Sequence, residues 1–286
     1  MTIHLAYQRL LAQLYEVYET REAANIADMV MEEVTGQPKI ERIVYKDLPV
    51  SGEQQKQLEK ISDELLNYRP VQYVLGEAWF MDMKLLVNEH VLIPRPETEE
   101  LVEWIIKDVE QSGNKELSLI DIGTGSGCIP IAVKRKVPQI TVCAIDISDD
   151  ALQVAKLNSL EQSVIIDFLH VDFLKEIDWN KLGMYDRIVS NPPYIKKSEE
   201  AVMRDNVLKY EPHLALFVPN EDALLFYKAI ARFSQEHLKL GGSIYVEINE
   251  ALGEQVIEVF TKNGFSDIIL KKDMQGKDRM VKARVT

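Results

Sequence analysis

The chain has 286 residues, enough for one large domain or two of ordinary size. Its 46% hydrophobic and 28% charged residues suit a soluble globular protein. The net charge of −13 is shared by both halves, with 15 acidic and 9 basic residues in 1–93, which argues against a broad nucleic-acid footprint of clustered Lys and Arg. No direct DNA binding is expected. Cys128 and Cys143 are too few for a disulfide scaffold, and the five histidines show no metal-ligand spacing, so no metal is expected. The first 20 residues contain Arg9, Glu16 and Glu19 and lack the apolar run of a signal peptide. No stretch reaches the ~18 apolar residues of a membrane span, so a cytoplasmic address and no membrane association are expected.

In chain order, the first third reads as helices. Tyr7, Leu10, Leu11, Leu14 and Tyr18 recur at helical spacing, as do Ala23, Ile26, Ala27, Val30 and Val34. Leu58, Ile61 and Leu65 mark a third stripe, ended by Pro70. Met81, Met83, Leu85 and Val87 alternate as in a strand or hairpin. "IPRPETEE" (93–100) then sets two prolines before an acid-rich helix start. These features predict a helical domain over 1–75, a hairpin and linker over 76–96, and a second domain over 97–286. In the second, strands and helices alternate: "LSLIDIG", "CIPIAVKRK", "TVCAIDI", "DALQVAKLN", "SVIIDFL" and "YDRIVSN". A helix on Leu225, Ala229, Ile230 and Phe233 leads through Gly241-Gly242 to "SIYVEIN", a helix over 252–260 and two last strands near 265–270 and 279–285. That alternation predicts an α/β fold, with a mostly parallel sheet covered by helices on both faces.

"DIGTGSG", Asp121 to Gly127, follows the first of these strands and opens a helix, where doubly wound sheets bind ligands. Gly123, Gly125 and Gly127 permit positive φ and a close ligand approach. The spacing is G-x-G-x-G and not the dinucleotide G-x-G-x-x-G, and Asp121 is an awkward charge to set near a pyrophosphate. A ligand bearing an ammonium and a sulfonium fits better. Asp146 ends the next strand, where an acid can accept from both hydroxyls of a ribose. A helix cap there belongs more naturally to Ser148 or Asp149.

This pair resembles the S-adenosylmethionine site of the Rossmann-like class I methyltransferases, whose sheet has seven strands. The resemblance implies S-adenosylmethionine as cofactor, with its methionine moiety over Gly123, Thr124, Gly125, Ser126 and Gly127 beside Asp121, and its ribose on Asp146. It further places adenine on Asp172 and Phe173 of "HVDF", and the reacting end beside Asn191.

"NPPY", Asn191 to Tyr194, follows "YDRIVS" at the same sheet edge. Prolines stiffen the turn, so the Asn191 side-chain oxygen and the Pro192 carbonyl are fixed acceptors. They can hold both N–H protons of a planar nitrogen and favour the positive charge that develops there. Pro193 completes the turn, and Tyr194 can stack on the planar group. No titratable base is needed, because the methylated nitrogen is acidic enough to lose its proton to water.

"YRPVQYVLGEAWF", "LIPRPETEELV", "NPPYI", "YEPHLALF" and "KDMQGKDRMVKAR" together resemble the bacterial peptide chain release factor glutamine methyltransferases over nearly the whole chain. That resemblance implies transfer of a methyl group to the side-chain amide nitrogen of the glutamine in the Gly-Gly-Gln motif of peptide chain release factors. It makes residues 1–75 a substrate-recognition domain and the enzyme a monomer. Arg95 and Glu97 are then substrate contacts roofing the pocket, against the reading of Glu97 or Thr98 as a helix cap. Glu247 is expected to be structural. Rival readings are a ribosomal-protein glutamine methyltransferase, an exocyclic-amine methyltransferase for DNA or rRNA with a basic cleft, and a non-catalytic binding module, which would have damaged Asn191 or the glycines.

Overall fold

The computed structural model describes residues 1–113 and 116–285, with the backbone alone at Val202. The chain forms two compact units, Met1–Gly76 with Arg204–Tyr210, and Glu77–Met203 with the chain from Glu211 on.

The first unit contains α1 (Ile3–Leu14), α2 (Thr20–Thr35), α3 (Lys39–Val44), α4 (Gly52–Leu66) and α5 (Val71–Leu75). Helix starts follow local chemistry: the Thr2 hydroxyl accepts from the Leu5 amide, and Ser51 and Gln54 form a capping box on α4. Gly36 and Gly76 end α2 and α5 in the left-handed conformation. The periodic residues turn inward, with Leu14, Ala23, Ala27, Val30, Met31 and Leu65 fully buried.

The second unit opens with a hairpin, β1 (Glu77–Phe80) and β2 (Met83–Leu86), followed by α6 (Pro96–Ser112). Alternation follows: β3 (Ser118–Ile122), α7 (Cys128–Lys136), β4 (Thr141–Asp146), α8 (Asp149–Glu161), β5 (Asp167–His170) and β6 (Tyr185–Ser190). The short β7 (Ile195–Lys196) comes next, then α9 (Asp205–Tyr210), which belongs to the helical unit, then α10 (His213–Leu216) and β8 (Phe217–Val218). The chain closes with α11 (Leu225–His237), β9 (Leu238–Glu247), α12 (Gly253–Lys262), β10 (Ser266–Lys272) and β11 (Asp278–Arg284).

The sheet has seven strands in the order β10-β11-β9-β6-β3-β4-β5, with β11 antiparallel to both neighbours and the five from β9 to β5 parallel. Neighbouring strand residues serve opposite faces. Ile120, Cys143, Ile188 and Ile244 join the core with α11 and α12, while Leu119, Val142, Val189 and Tyr245 join that with α6, α7 and the hairpin. Strand β5 begins at Asp167, later than "SVIIDFL" suggested. Ser163 takes φ 56° and the Val164 amide returns to the Ser159 carbonyl, so this stretch closes α8 instead of extending the sheet.

β9 also departs from expectation, because it starts at Leu238 and runs through both glycines. Tyr185 pairs with Leu238 but Arg187 pairs with Ser243, so β9 carries three more residues than β6 over that step. Gly241 has φ +73°, and a Cβ on Gly242 would stand 2.7 Å from the Lys239 carbonyl oxygen, so the bulge demands glycine.

Candidate active site

Parallel register brings the sequence motifs to one edge. Ile122 pairs with both Ile145 and Ser190, and Ser190 pairs with Val246. The glycine loop, Asp146, Asn191 and Glu247 therefore leave four adjacent strands at the same level. The chain turns one way after β3 and the other way after β6, so this is the switch point of the sheet.

A cleft of about 260 Å³ opens there. Gly123, Thr124, Gly125, Ser126, Asp146, Asp172, Phe173, Asn191, Pro192, Pro193 and Arg95 line it, whereas Asp121, Gly127, Tyr194 and Glu97 do not. Gly123 and Gly125 have φ +74° and +53°, with nothing within 4 Å of a Cβ built on either. Gly127 serves packing instead: at φ +80° it begins α7, and a Cβ would meet Ile131 at 3.0 Å and Ala155 at 3.2 Å.

Asp121 lies beneath the loop, wholly buried, and among the described residues only the Thr124 side chain stands near enough to offer its carboxylate a hydrogen bond. Burial, with the Asp146 charge added, pushes its carboxyl up to about 7. The two Asp146 oxygens accept from the Gly125 amide at 2.9 Å and the Ser148 amide at 3.0 Å, joining the first loop to the second. Ser148 caps α8 by accepting from the Ala151 amide. Asp172 accepts from the Leu174 amide and pairs with Lys175 at 3.0 Å, while Phe173 packs edge-on against Phe233.

Asn191 is held by its side chain. Its Nδ2 donates to Thr98 Oγ1 at 3.1 Å, and the Thr98 hydroxyl donates to Glu247 Oε2 at 2.7 Å. The Tyr194 hydroxyl donates to the other Glu247 oxygen at 3.4 Å. The Tyr194 ring packs on the core that α11 joins, and Tyr194 does not line the cleft. Thr98 and Glu247 are each 2% exposed. Burial pushes Glu247 up to about 7, and it pushes the Tyr194 phenol above its ordinary range, with the nearby Glu247 charge adding to the latter.

Glu97 stands in the first turn of α6, where an acid suits a helix start, but Thr98 does not cap the helix. Arg95 occupies the N-cap of α6 with Pro96 behind it, and the Thr98 hydroxyl is committed to Glu247. Arg95 Nη2 donates to Glu211 Oε1 at 2.6 Å, and the Ile93 amide donates to Glu211 Oε2 at 3.3 Å. Glu211 of "YEPHLALF" went unassigned in the sequence, although that motif was singled out. It is 3% exposed and fastens the 93–95 segment to the stretch whose Pro212, Leu214 and Ala215 line the cleft. The last motif has a comparable part: Arg279 Nε donates to Asp273 at 3.1 Å and sets a positive charge near Glu247 and Tyr194.

A family profile described as methyltransferase small domain matches residues 100–214, and one described as PrmC N-terminal domain matches residues 6–76. A solved 16S rRNA methyltransferase of T. thermophilus, in complex with AdoMet and guanosine, aligns over 73% of this chain and 50% of its own at a TM-score of 0.51. At 15% identity that likeness concerns the fold alone. Sheet order, glycine loop and profile together define a class I methyltransferase. A release factor glutamine methyltransferase of Flavobacterium psychrophilum is 42% identical over 270 residues, 94% of each chain. Another, from Bacteroides thetaiotaomicron, is 39% identical over 94% of this chain and 95% of its own. The chain belongs to the release factor glutamine methyltransferase family, and the family implies S-adenosylmethionine as methyl donor. Among the described residues no helix is long and apolar enough to cross a membrane.

Proposed function

We propose that this enzyme methylates the side-chain amide nitrogen of the glutamine in the Gly-Gly-Gln motif of release factors, acting as a cytoplasmic monomer whose helical unit recognises the protein substrate. The observation that carries the proposal is the meeting of the glycine loop and Asn191 in one cleft at the β3–β6 switch point.

The residues present suit S-adenosylmethionine. A wholly buried carboxylate beneath the loop, with no ion pair among the described residues, disfavours a pyrophosphate and favours a ligand with cationic groups. Asp146 and Asp172 are the acceptors for its ribose and adenine, and Phe173 is the apolar wall for the ring. When bound, S-adenosylmethionine supplies a sulfonium methyl open to nucleophilic attack. Asn191 Oδ1 and the Pro192 carbonyl accept the two substrate amide protons, orient the nitrogen and stabilise its developing positive charge. Tyr194 serves by anchoring the turn to Glu247. The proton displaced from the methylated nitrogen leaves to water. Arg95, paired with Glu211, lines the cleft, and Glu97 follows two residues later in the first turn of α6.

The test supplies labelled S-adenosylmethionine with a release factor, a ribosomal protein fraction, DNA and rRNA in separate reactions, and locates the label by peptide mass spectrometry. Label on the Gly-Gly-Gln glutamine is the expected result. Label confined to nucleic acid or to a ribosomal protein would replace the proposal with one of its rivals.

A further inference from the structure

We propose that Thr98 and Glu247 are positioning residues that set which end of the Asn191 amide faces the substrate. The inference rests on the reading of Asn191 Oδ1 as the acceptor for the substrate amide. A side-chain amide has two nearly isosteric ends, one accepting and one donating, and a half-turn exchanges them. With Nδ2 toward the cleft, Asn191 would offer donors to a donor, and the substrate nitrogen would not be held.

The hydrogen-bond chain selects one orientation. An ionised carboxylate only accepts, so the Thr98 proton is drawn to Glu247 Oε2 at 2.7 Å. Thr98 Oγ1 then presents lone pairs to Asn191 at 3.1 Å, and only the amide NH₂ can satisfy them. The oxygen is left for the cleft that Asn191 lines. The second Glu247 oxygen accepts from Tyr194 three residues along, so one carboxylate holds both ends of the "NPPY" turn. The site is 2% exposed at Thr98 and at Glu247, so water does not compete for these bonds. This polarity also accounts for asparagine at position 191. A carboxylate there would compete with Glu247 Oε2 for the single Thr98 proton, leaving one of those two oxygens without a donor.

Reversal of the chain provides the test. In the Asn191→Asp variant the introduced carboxylate and Glu247 compete for Thr98. Adding Glu247→Gln supplies an NH₂ that donates to Thr98 Oγ1, frees the hydroxyl proton for the aspartate, and keeps an acceptor for Tyr194. Single-turnover methyl transfer to a release factor at saturating cofactor is therefore expected to be at least tenfold faster in the double variant than in Asn191→Asp. Glu247→Gln alone should be slower than wild type. A double variant no faster than Asn191→Asp would overturn the proposal, because two losses not coupled through Thr98 would only accumulate.

Thr98 offers a second arm independent of Glu247. Thr98→Val should lower kcat about 10- to 100-fold with the KM for cofactor unchanged, and Thr98→Ser should restore it. In protein labelled with 15N at asparagine, one Asn191 side-chain proton should exchange slowly in wild type and Thr98→Ser, and quickly in Thr98→Val. Equal exchange in all three would also overturn the proposal. Should wild type fail to methylate a release factor, the proposed function falls, and the exchange measurement still decides the orientation of Asn191.

Discussion

Two buried carboxyls at the site titrate near neutrality for the same reason, the loss of water around them, yet they govern different steps. Asp121 lies beneath the glycine loop with its carboxyl at about 7. A cationic ligand favours its ionised form, so binding is coupled to proton release. Cofactor affinity should thus fall as pH drops below about 7, by up to about tenfold per unit, and level off above it. Titration calorimetry across pH 5.5–8.5 checks this, and Asp121→Asn should flatten the curve while lowering the plateau. Glu247 also stands at about 7, facing Thr98, Tyr194, the Arg279 guanidinium and the Glu97 carboxylate. Once protonated it can donate to Thr98, which frees the Thr98 proton to turn the Asn191 amide round. At saturating cofactor the transfer rate should retain an acid limb near 7, and Glu247→Gln should remove that limb at a uniformly lower rate. For Asn191→Ala the cofactor site should stay formed while single-turnover transfer falls about a hundred- to a thousand-fold, the usual effect of losing a preorganised partner.

At the scale of elements, the cleft depends on strand register as much as on its motifs. Gly242→Ala would press a Cβ to within 2.7 Å of the Lys239 carbonyl oxygen, a contact that only backbone movement relieves. Chemical denaturation should show a loss of about 1–3 kcal/mol, and the transfer rate should drop with it as Glu247 is displaced. This dependence explains what could be read in advance. The glycine loop and "NPPY" are contiguous, and their chemistry is local: positive φ at Gly123 and stiff acceptors at Asn191. The alternation of strands and helices likewise announced a parallel sheet. Glu247 was read only as structural because its partners lie 149 and 53 residues away, at Thr98 and Tyr194, and only the pairing of Ser190 with Val246 brings them together. The part Thr98 plays was hidden for a related reason. A threonine beside a helix start resembles a cap until the true cap, Arg95, is seen. Nor does composition show that Tyr194 would turn toward the core.

For the whole molecule, the position of a cut matters. Phe80, Met83 and Leu85 of the hairpin are at most 1% exposed and belong to the core beneath α6 and α7. The Asn158 side chain also bonds both backbone groups of Leu86. A chain beginning at Glu77 should melt cooperatively, bind S-adenosylmethionine within a few-fold of full length, and fail to methylate intact release factor. One beginning at Val91 loses these three large core side chains, each worth about 2–5 kcal/mol when deleted, along with Ala78 and Val87, and should not fold. Normal methylation of the intact factor by the Glu77 chain would remove the recognition role from the helical unit.

The three surplus residues of β9 act as a length gauge between two remote stretches of chain. Continued in the register of Leu238, the strand would set Ser243 opposite Ser190 and carry Glu247 some 10 Å farther on, at about 3.3 Å per residue. The odd count matters as much as the distance, since a shift by three exchanges the faces that alternate side chains occupy. Adding or removing one residue at Gly241–Gly242 would move the carboxylate along the strand and turn it to the other side of the sheet, leaving Thr98 opposite an aliphatic neighbour. Two glycines in β9, far in sequence from Asn191, thereby calibrate where its side chain points.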